Sequence, residues 1–273
     1  MGLEQLHLEG MDKVQFSIAL IQANQPYNEP YYLADSGGKD SQVLRRLTEM
    51  ASTPFEAHHS PTPTEPPELI RFIRQTHPDT IFDKPHMPFW KAFQQKGYPR
   101  RQAKWCCEYI KESGGAGRTV LMGIRSSESQ GRKHRCFINY NVKGRTRFDR
   151  GTTRNIILPI LLWTDKDVWT FLKQENLPYC SLYDEGSSGP YKGDGKFKRL
   201  GCVMCPSARP DRRQWEKERF PNIAEAWRRA GAKYFATHPN PRRRWDTADE
   251  FFEWWLGDEK APPLREIEQE EVM

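Results

Sequence analysis

Six consecutive residues, Ser36-Gly37-Gly38-Lys39-Asp40-Ser41, carry the chemistry of a phosphate cradle. Adjacent glycines let a backbone turn tightly and approach a ligand closely. The first amides of a helix that follows have no intrahelical acceptor, and the helix dipole adds partial positive charge at the same point. The Ser36 and Ser41 hydroxyls add donors and Lys39 adds a charge. The spacing is too short for the GxxxxGK[ST] loop. The plain alternative is an ordinary strand-to-helix turn built from glycine and a capping side chain.

A second pattern is sulfur. Cys106 and Cys107 are adjacent, and Cys202 and Cys205 form a CxxC after Gly201. A CxxC loop can place two thiolates on one metal or cluster. Neighbouring side chains diverge, so a Cys-Cys pair suits two irons of a cubane better than one tetrahedral zinc. The pattern therefore favours a 4Fe–4S cluster, with a zinc site, a redox dithiol and four unliganded thiols as alternatives. Cys136 and Cys180 have no partner at motif spacing; Cys180 reads as structural, and Cys136, in a polar basic stretch, is a candidate persulfide carrier. His58 and His59 close a candidate strand and read first as loop residues.

The elements that must position these residues alternate. Apolar spacing predicts a leading helix over 11–24, ended by Pro26 and Pro30. Strands are expected at 31–35, 55–59, 79–82, 118–122 and 156–160, and helices at 39–50, 68–76, 89–95 and from 164 through Leu172. Residues 126–154 read as a long mobile segment, and 184–201 as loop. Helices are expected over 215–230 and 247–256. The fold class is thus α/β, a mostly parallel sheet flanked by helices, Rossmann-like, with a helical C-terminal extension. Such sheets bind ligands outside the carboxyl ends of their strands.

Composition bounds the function classes. Apolar residues make up 37% and charged residues 29%, and nine Trp, ten Tyr and fourteen Phe supply core material that a disordered chain would lack. The net charge of +6 is concentrated in residues 97–154 and 192–244, ending in the run Arg242–Arg244, which suggests a phosphate-bearing partner or a solvated surface. No apolar run approaches the roughly 20 residues of a membrane span, and the first residues lack a signal-peptide pattern. A cytoplasmic protein is expected, with no membrane partner, and its six cysteines read as metal-binding or catalytic thiols.

SGGKDS resembles the PP-loop of the N-type ATP pyrophosphatases and sulfonucleotide reductases. The resemblance extends to Gly123-Ile124-Arg125-Ser126-Ser127-Glu128-Ser129, to Leu158–Trp163 with Asp167-Val168-Trp169, and to Leu177-Pro178-Tyr179 with Leu182-Tyr183-Asp184. Together these cover roughly residues 31–206 and are similar to the PAPS reductase superfamily, whose fold is adenine nucleotide alpha hydrolase-like. The resemblance implies that Ser36, Gly37, Gly38, Lys39, Asp40 and Ser41 hold phosphates of ATP with Mg2+, and that Gly123 and Arg125 lie near the nucleotide. It makes Asp40, Arg125 and Lys39 the catalytic candidates. It also implies that Cys106, Cys107, Cys202 and Cys205 ligate a 4Fe–4S cluster, as in adenylyl-sulfate-type members.

One departure directs the functional expectation. The resembled reductases carry a catalytic cysteine in a C-terminal ECGxH-like motif, and no cysteine follows Cys205 here. The branch that keeps the PP-loop and the cysteine quartet without that motif acts in DNA phosphorothioation (SspD-like or DndC-like sulfurtransferases). It implies an ATP pyrophosphatase that adenylates a DNA backbone phosphate for sulfur insertion. DNA, a cysteine desulfurase and other phosphorothioation proteins would be partners, with a homo-oligomer left open. Basic residues from Arg100 to Arg154 and the Arg242–Arg244 run would meet the DNA backbone. The alternatives are a sulfonucleotide reductase drawing its thiol from Cys136 or a partner, a tRNA thiolation enzyme, and a non-catalytic scaffold. The expected division is an N-terminal helical segment 1–30, a nucleotide and Fe–S domain 31–206, and a helical extension 207–273.

Overall fold

Tyr31, Tyr32 and Leu33 are buried along β1 (Tyr31–Ala34), as are Thr119, Val120 and Leu121 along β4 (Thr119–Met122). Strands covered on both faces belong in the middle of a parallel sheet, and these two are its centre. The computed structural model describes residues 12–187, 195–239 and 244–257; Arg242 and Arg243 of the expected basic run lie outside the described residues. With β2 (Phe55–His59), β3 (Ile81–Phe82), β5 (Ile138–Lys143) and β6 (Thr153–Ile157) the sheet has the order β3-β2-β1-β4-β6-β5. Every pairing is parallel except that of β5 with β6. The chain moves outward in one direction from β1 and in the other from β4, so the topological switch point lies between them.

Helices flank this sheet: α1 (Lys13–Ala23), α2 (Lys39–Met50), α3 (Pro67–Thr76) and α6 (Asp165–Gln174). The helix α6 starts with a capping box, in which Thr164 accepts from the Asp167 amide and Asp167 accepts from the Thr164 amide. Asp167 also takes a 2.5 Å ion pair from buried Lys13, and Ser17 donates to the Pro159 carbonyl (2.8 Å), which pins α1 to this side of the molecule.

Two expectations fail here. The segment 126–154 is not one long mobile loop: it holds two short 3-10 turns and β5, an edge strand with a bulge between Asn139 and Val142. Its polar faces hid it, because an antiparallel edge strand need bury little. The strand expected at 156–160 runs instead over Thr153–Ile157. Pro159 cannot donate to a ladder, while buried Arg154 is accepted into the sheet by pairing with Asp149 and the Gly114 carbonyl.

The chain forms two compact units. The first holds the sheet and spans Met1–Pro61, Pro67–Lys84 and Glu112–Gly201; the second spans Thr62–Pro66, Pro85–Lys111 and Cys202–Met273. The boundary drawn from sequence at 206 differs from this. Residues 85–111 join the C-terminal helices because their aromatics pack there: Phe89, Trp90, Phe93 and Tyr98 surround Trp227, with Trp105 behind Phe89 and Phe93, and Phe252 and Trp255 alongside. The second unit contains α4 (Phe89–Lys96), α5 (Trp105–Ile110), α7 (Pro210–Arg219), α8 (Pro221–Thr237) and α9 (Ala248–Gly257). The helix expected over 215–230 is broken, because Pro221 has no N–H to continue α7 and instead opens α8. No helix among the described residues is long and apolar enough to cross a membrane.

Two predictions follow from this packing. A Cβ at Gly231 would stand 1.9 Å from the Tyr98 hydroxyl, whose own bond to the Trp227 carbonyl is 3.1 Å. Gly231→Ala should therefore destabilise the second unit by roughly 1–3 kcal/mol, and Tyr98→Phe should recover part of the loss in a double-mutant cycle by urea denaturation. Strict additivity would reject the clash.

The second concerns acid. Burial opposes the charge of Asp167, yet the bonds from Lys13 and Thr164 outweigh it and hold the carboxyl below its ordinary value. A depressed carboxylate stabilises the fold fully above the ordinary range and loses that contribution as pH falls through the folded value. Stability should decline below about pH 4, and less steeply in Asp167→Asn. Equal pH dependence in the two proteins would remove this pair from the cause.

Candidate nucleotide site and cysteine quartet

The Ser36–Ser41 loop leaves the end of β1, and Gly123-Ile124-Arg125 leaves the end of β4, so the two sequence blocks meet at the switch point. The loop is tied by its own side chains. Asp35 accepts from the Gly37 amide (2.7 Å), Ser41 Oγ accepts from the Ser36 amide (3.0 Å), and the two serine hydroxyls are 2.8 Å apart. The Tyr183 hydroxyl accepts from the Lys39 amide at 3.2 Å. Gly37 has φ +69°, and a Cβ there would lie 2.6 Å from Ile73, so glycine is required twice over. A Cβ on Gly123 would stand 3.2 Å from the Asp40 carbonyl oxygen, so this glycine lets the end of β4 close on the first turn of α2. Gly38 caps α2 without a side-chain bond, and with the Lys39 amide already on Tyr183 it is the next amides of the first turn, those of Asp40 and Ser41, that face the loop.

Behind the loop lies a buried charge network. Arg125 is 1% exposed and donates to Asp40 (2.7 Å), Asp165 (2.9 Å), Ser127 (3.1 Å) and the Trp163 carbonyl (3.4 Å). The Lys39 ammonium is equally buried. It donates to the Lys198 carbonyl (2.9 Å), lies 3.4 Å from Asp165 and 3.8 Å from Asp40, and sits over the Tyr183 ring. Burial lowers the Lys39 pKa, against the pull of Asp40 and Asp165. Asp165, 70% exposed at its side chain, is the open end of the network; burial opposes its charge, but Arg125 and Lys39 hold its pKa below the usual range. The expected free donors of Arg125 are thus engaged within the protein, and its placement makes it the brace for Asp40. Glu128 accepts from the Arg125 amide (3.4 Å) and pairs with Arg132 and Arg199.

Several of these residues carried no role in the sequence reading. Asp35 precedes the glycines at Asx-turn spacing, which was the available signal. Asp165 was visible only as a helix-start residue, and Tyr183 only as part of a matched block. His59 accepts a supporting place, its Nδ1 2.9 Å from the Asp35 carbonyl, while His58 stacks on Tyr32 and bonds Asp83 (2.8 Å). Of the basic residues expected to meet DNA, Arg118 pairs with Glu56, Arg125 and Arg154 are buried in pairs, and Arg132 is paired with Glu128.

The quartet lies within the second unit. Cys106 and Cys107 open α5, and Cys202 and Cys205 flank Met204, whose φ of +56° wraps the CxxC turn. The turn is fastened by Val203 N to the Thr64 carbonyl (2.7 Å) and Met204 N to Glu216 (2.6 Å), and Thr62 Oγ1 lies 3.3 Å from the Cys202 sulfur. A hydrogen bond with Cys107, burial, and the nearby charges of Cys107, Cys202 and Cys205 all push the Cys106 thiol up; burial first, then Cys202 and Cys107, raises Cys205. Burial works against the Lys111 charge, but Cys202, Glu65 and Cys107 outweigh it and raise its pKa. The four thiols therefore influence one another electrostatically, and Lys111 shares their surroundings. Among the described residues no three His, Cys, Asp or Glu side chains are grouped as around one metal ion. None of the six cysteines forms a disulfide; Cys180 is buried, which raises its pKa, and Cys136 is exposed.

Residues 30–208 match the phosphoadenosine phosphosulfate reductase domain. The chain belongs to this family. An uncharacterised protein of Methanocaldococcus jannaschii is 27% identical over 223 residues, covering 77% of this chain and 43% of that protein. Adenosine 5′-phosphosulfate reductase 2 of Bacillus subtilis is 26% identical over 173 residues, 60% of this chain and 62% of the reductase. The chain spans about half the length of these curated relatives. Among solved structures, the phosphate complex of the PAPS reductase from Candida auris aligns with a TM-score of 0.47 at 16% identity, covering 69% of this chain and 97% of that one. In PAPS reductase family terms, the matched region includes the loop, the Arg125 network and all four quartet cysteines, while α7, α8 and α9 lie beyond it.

Asp40 has the deciding position, since it faces Arg125 from the loop helix. Asp40→Ala should weaken ATP binding by about tenfold or more, on the scale of one charge-assisted contact, and leave the thiol chemistry of the second unit unchanged. Isothermal titration measures the first and thiol labelling the second; unchanged ATP affinity would take Asp40 out of the nucleotide site.

Proposed function

We propose that this PAPS reductase family protein is an ATP pyrophosphatase that adenylates a nucleic-acid phosphate, in the DNA backbone, for sulfur insertion in DNA phosphorothioation. The observation that carries the reading is the meeting of the loop and the Gly123–Arg125 turn at the switch point, backed by buried Lys39 and Arg125 whose exposed partner is Asp165. An arriving phosphate competes with Asp165 for those cations, while the first-turn amides of α2 receive the oxygens of the leaving group. A non-bridging phosphate oxygen of the nucleic acid attacks the α-phosphorus of ATP. The bond from that phosphorus to the bridging oxygen of the β-phosphate breaks, and pyrophosphate leaves. The terminal sulfur of a persulfide, loaded by a cysteine desulfurase partner, then attacks the activated phosphorus and AMP departs carrying the former phosphate oxygen; a second thiol cleaves the remaining S–S bond, which leaves the phosphorothioate and a disulfide.

The carboxylates of Asp40 and Asp165 are the hard oxygen donors that would hold Mg2+, which neutralises phosphate charge. Cys106, Cys107, Cys202 and Cys205 would hold a 4Fe–4S cluster, which supplies a sulfur-rich, redox-capable centre when bound. Six cysteines outside any disulfide suit the reducing cytoplasm. Partners in this reading are DNA, the desulfurase and other phosphorothioation proteins, and self-association is compatible with it.

A second reading, sulfonucleotide reduction, is favoured by the named relatives, which are adenosine 5′-phosphosulfate reductases. It needs an attacking thiolate, and in the sheet unit Cys136 is the exposed thiol while Cys180 is buried.

Anaerobically purified protein with labelled ATP and duplex DNA separates the two. Release of AMP and pyrophosphate, stimulated by DNA, is the expected result. Intact ATP together with sulfite release from a sulfonucleotide would reject adenylation in favour of reduction, and stimulation by RNA alone would move the substrate to tRNA.

A further inference from the structure

The second unit carries a basic groove for which the nucleotide chemistry has no use. It lies between α4 and α8, has a volume of about 560 Å3, and is lined by Trp90, Lys91 and Gln94 from α4 and by Ala226, Arg229, Ala230 and Lys233 from α8. No acidic side chain lines it. Arg228, one position away, is neutralised by Asp249 (3.2 Å) and Glu253 (3.7 Å) on α9. Arg229 has only the exposed Glu225 of its own helix at 3.8 Å, a pair of little energetic weight. Lys91 and Lys233 make no ion pair among the described residues. The groove therefore concentrates uncompensated positive charge.

Its floor has a different character. Trp90 packs edge-to-face on Phe89 (4.9 Å) and Trp227 (5.5 Å), which holds the indole rigid while the residue stays half-buried and borders the groove. The alanines open depth beside it. Arg229 and Lys233 are one helical turn apart, with Cβ atoms about 5–6 Å from each other, a spacing comparable with the step between successive phosphates of a strand. Cations at that interval beside a fixed aromatic face are the elements by which proteins track a single strand, with phosphates on the charges and a base on the ring.

We propose that the α4/α8 groove is a binding site for a single-stranded stretch of nucleic acid, with Lys91, Arg229 and Lys233 on phosphates and Trp90 against a base. The site deepens the nucleic-acid reading above and rests on it. Half of it comes from α8, outside the matched family region of residues 30–208.

Fluorescence anisotropy with a labelled oligothymidylate of about 16 nucleotides, across a salt series, tests it. Lys91→Gln/Arg229→Gln/Lys233→Gln should bind at least about tenfold more weakly at low salt, with a salt slope shallower by about 2, as loss of three phosphate contacts requires. Trp90→Leu should cost about fivefold or more while keeping the slope. Circular dichroism and DNA-independent ATP cleavage should match the parent in the triple variant, which separates lost binding from lost folding. If the parent binds the strand and the triple variant binds it equally, the groove is wrong and the nucleic-acid reading stands. If the parent binds no nucleic acid, both fall. Selective loss of polyglutamate or anionic-vesicle binding in the triple variant, with oligonucleotide binding intact, would assign the groove to another partner and overturn the proposal.

Discussion

A fully buried guanidinium cannot be left unpaired, and in this protein that single requirement holds the nucleotide edge together. Arg125 comes from the end of β4, Asp40 from the first turn after β1, and Asp165 from the start of α6 after β6. Removing Asp40 would strip the guanidinium of its less exposed partner, at a cost of several kcal/mol, whereas Asp165 is largely solvated and its loss costs far less. The pairing brings three chain segments, far apart in sequence, to one edge of the sheet. The close approach at Gly123 belongs to the same convergence, since a Cβ there would press on Asp40.

The network also explains why Lys39 faces inward. A phosphate loop with its lysine already bonded to the Lys198 carbonyl and flanked by two carboxylates is electrically closed before any ligand arrives. Its exposed member is Asp165, so in the proposed reading an arriving phosphate would exchange one anion for another at a fixed pair of cations. Preorganised cations of this kind cost little reorganisation.

Much of this was legible in the sequence because short-range physics wrote it there. SGGKDS was recognisable since glycine, hydroxyl and helix start must be contiguous to hold a phosphate, and β1, α2 and β4 follow from their apolar runs. What stayed hidden depends on distant partners. Arg154 and Asp149 disguise a strand as a polar segment, because each pays for the other's burial only in three dimensions. Pro159 sits in an apolar run that reads as strand and is turn. Asp165 and Tyr183 acquire roles only when β6 and the segment after α6 return to the loop. The division into units was hidden for the same reason: the packing of Phe89, Phe93 and Tyr98 on Trp227 spans more than a hundred residues.

The family scaffold constrains what can be activated more tightly than what can attack. In the proposed reading the loop, the start of α2 and the braced Asp40 would all act on phosphate oxygens, and they would serve any adenine nucleotide whose phosphates reach the switch point. The attacking group is a separate matter. In the sheet unit the buried Cys180 is a poor nucleophile, because burial raises its pKa and keeps it as the thiol. Exposed Cys136 lies just ahead of β5, which makes it the natural thiol for a reductive reading. An oxygen nucleophile from a nucleic-acid phosphate needs no thiol at all, only an electrostatic path to the site. An uneven basic surface supplies such a path, and in this chain Arg118, Arg125, Arg132 and Arg154 of the sheet unit are held in internal pairs. The proposed groove instead draws its charge from Lys91, Arg229 and Lys233, of which only Arg229 has an ion-pair partner among the described residues.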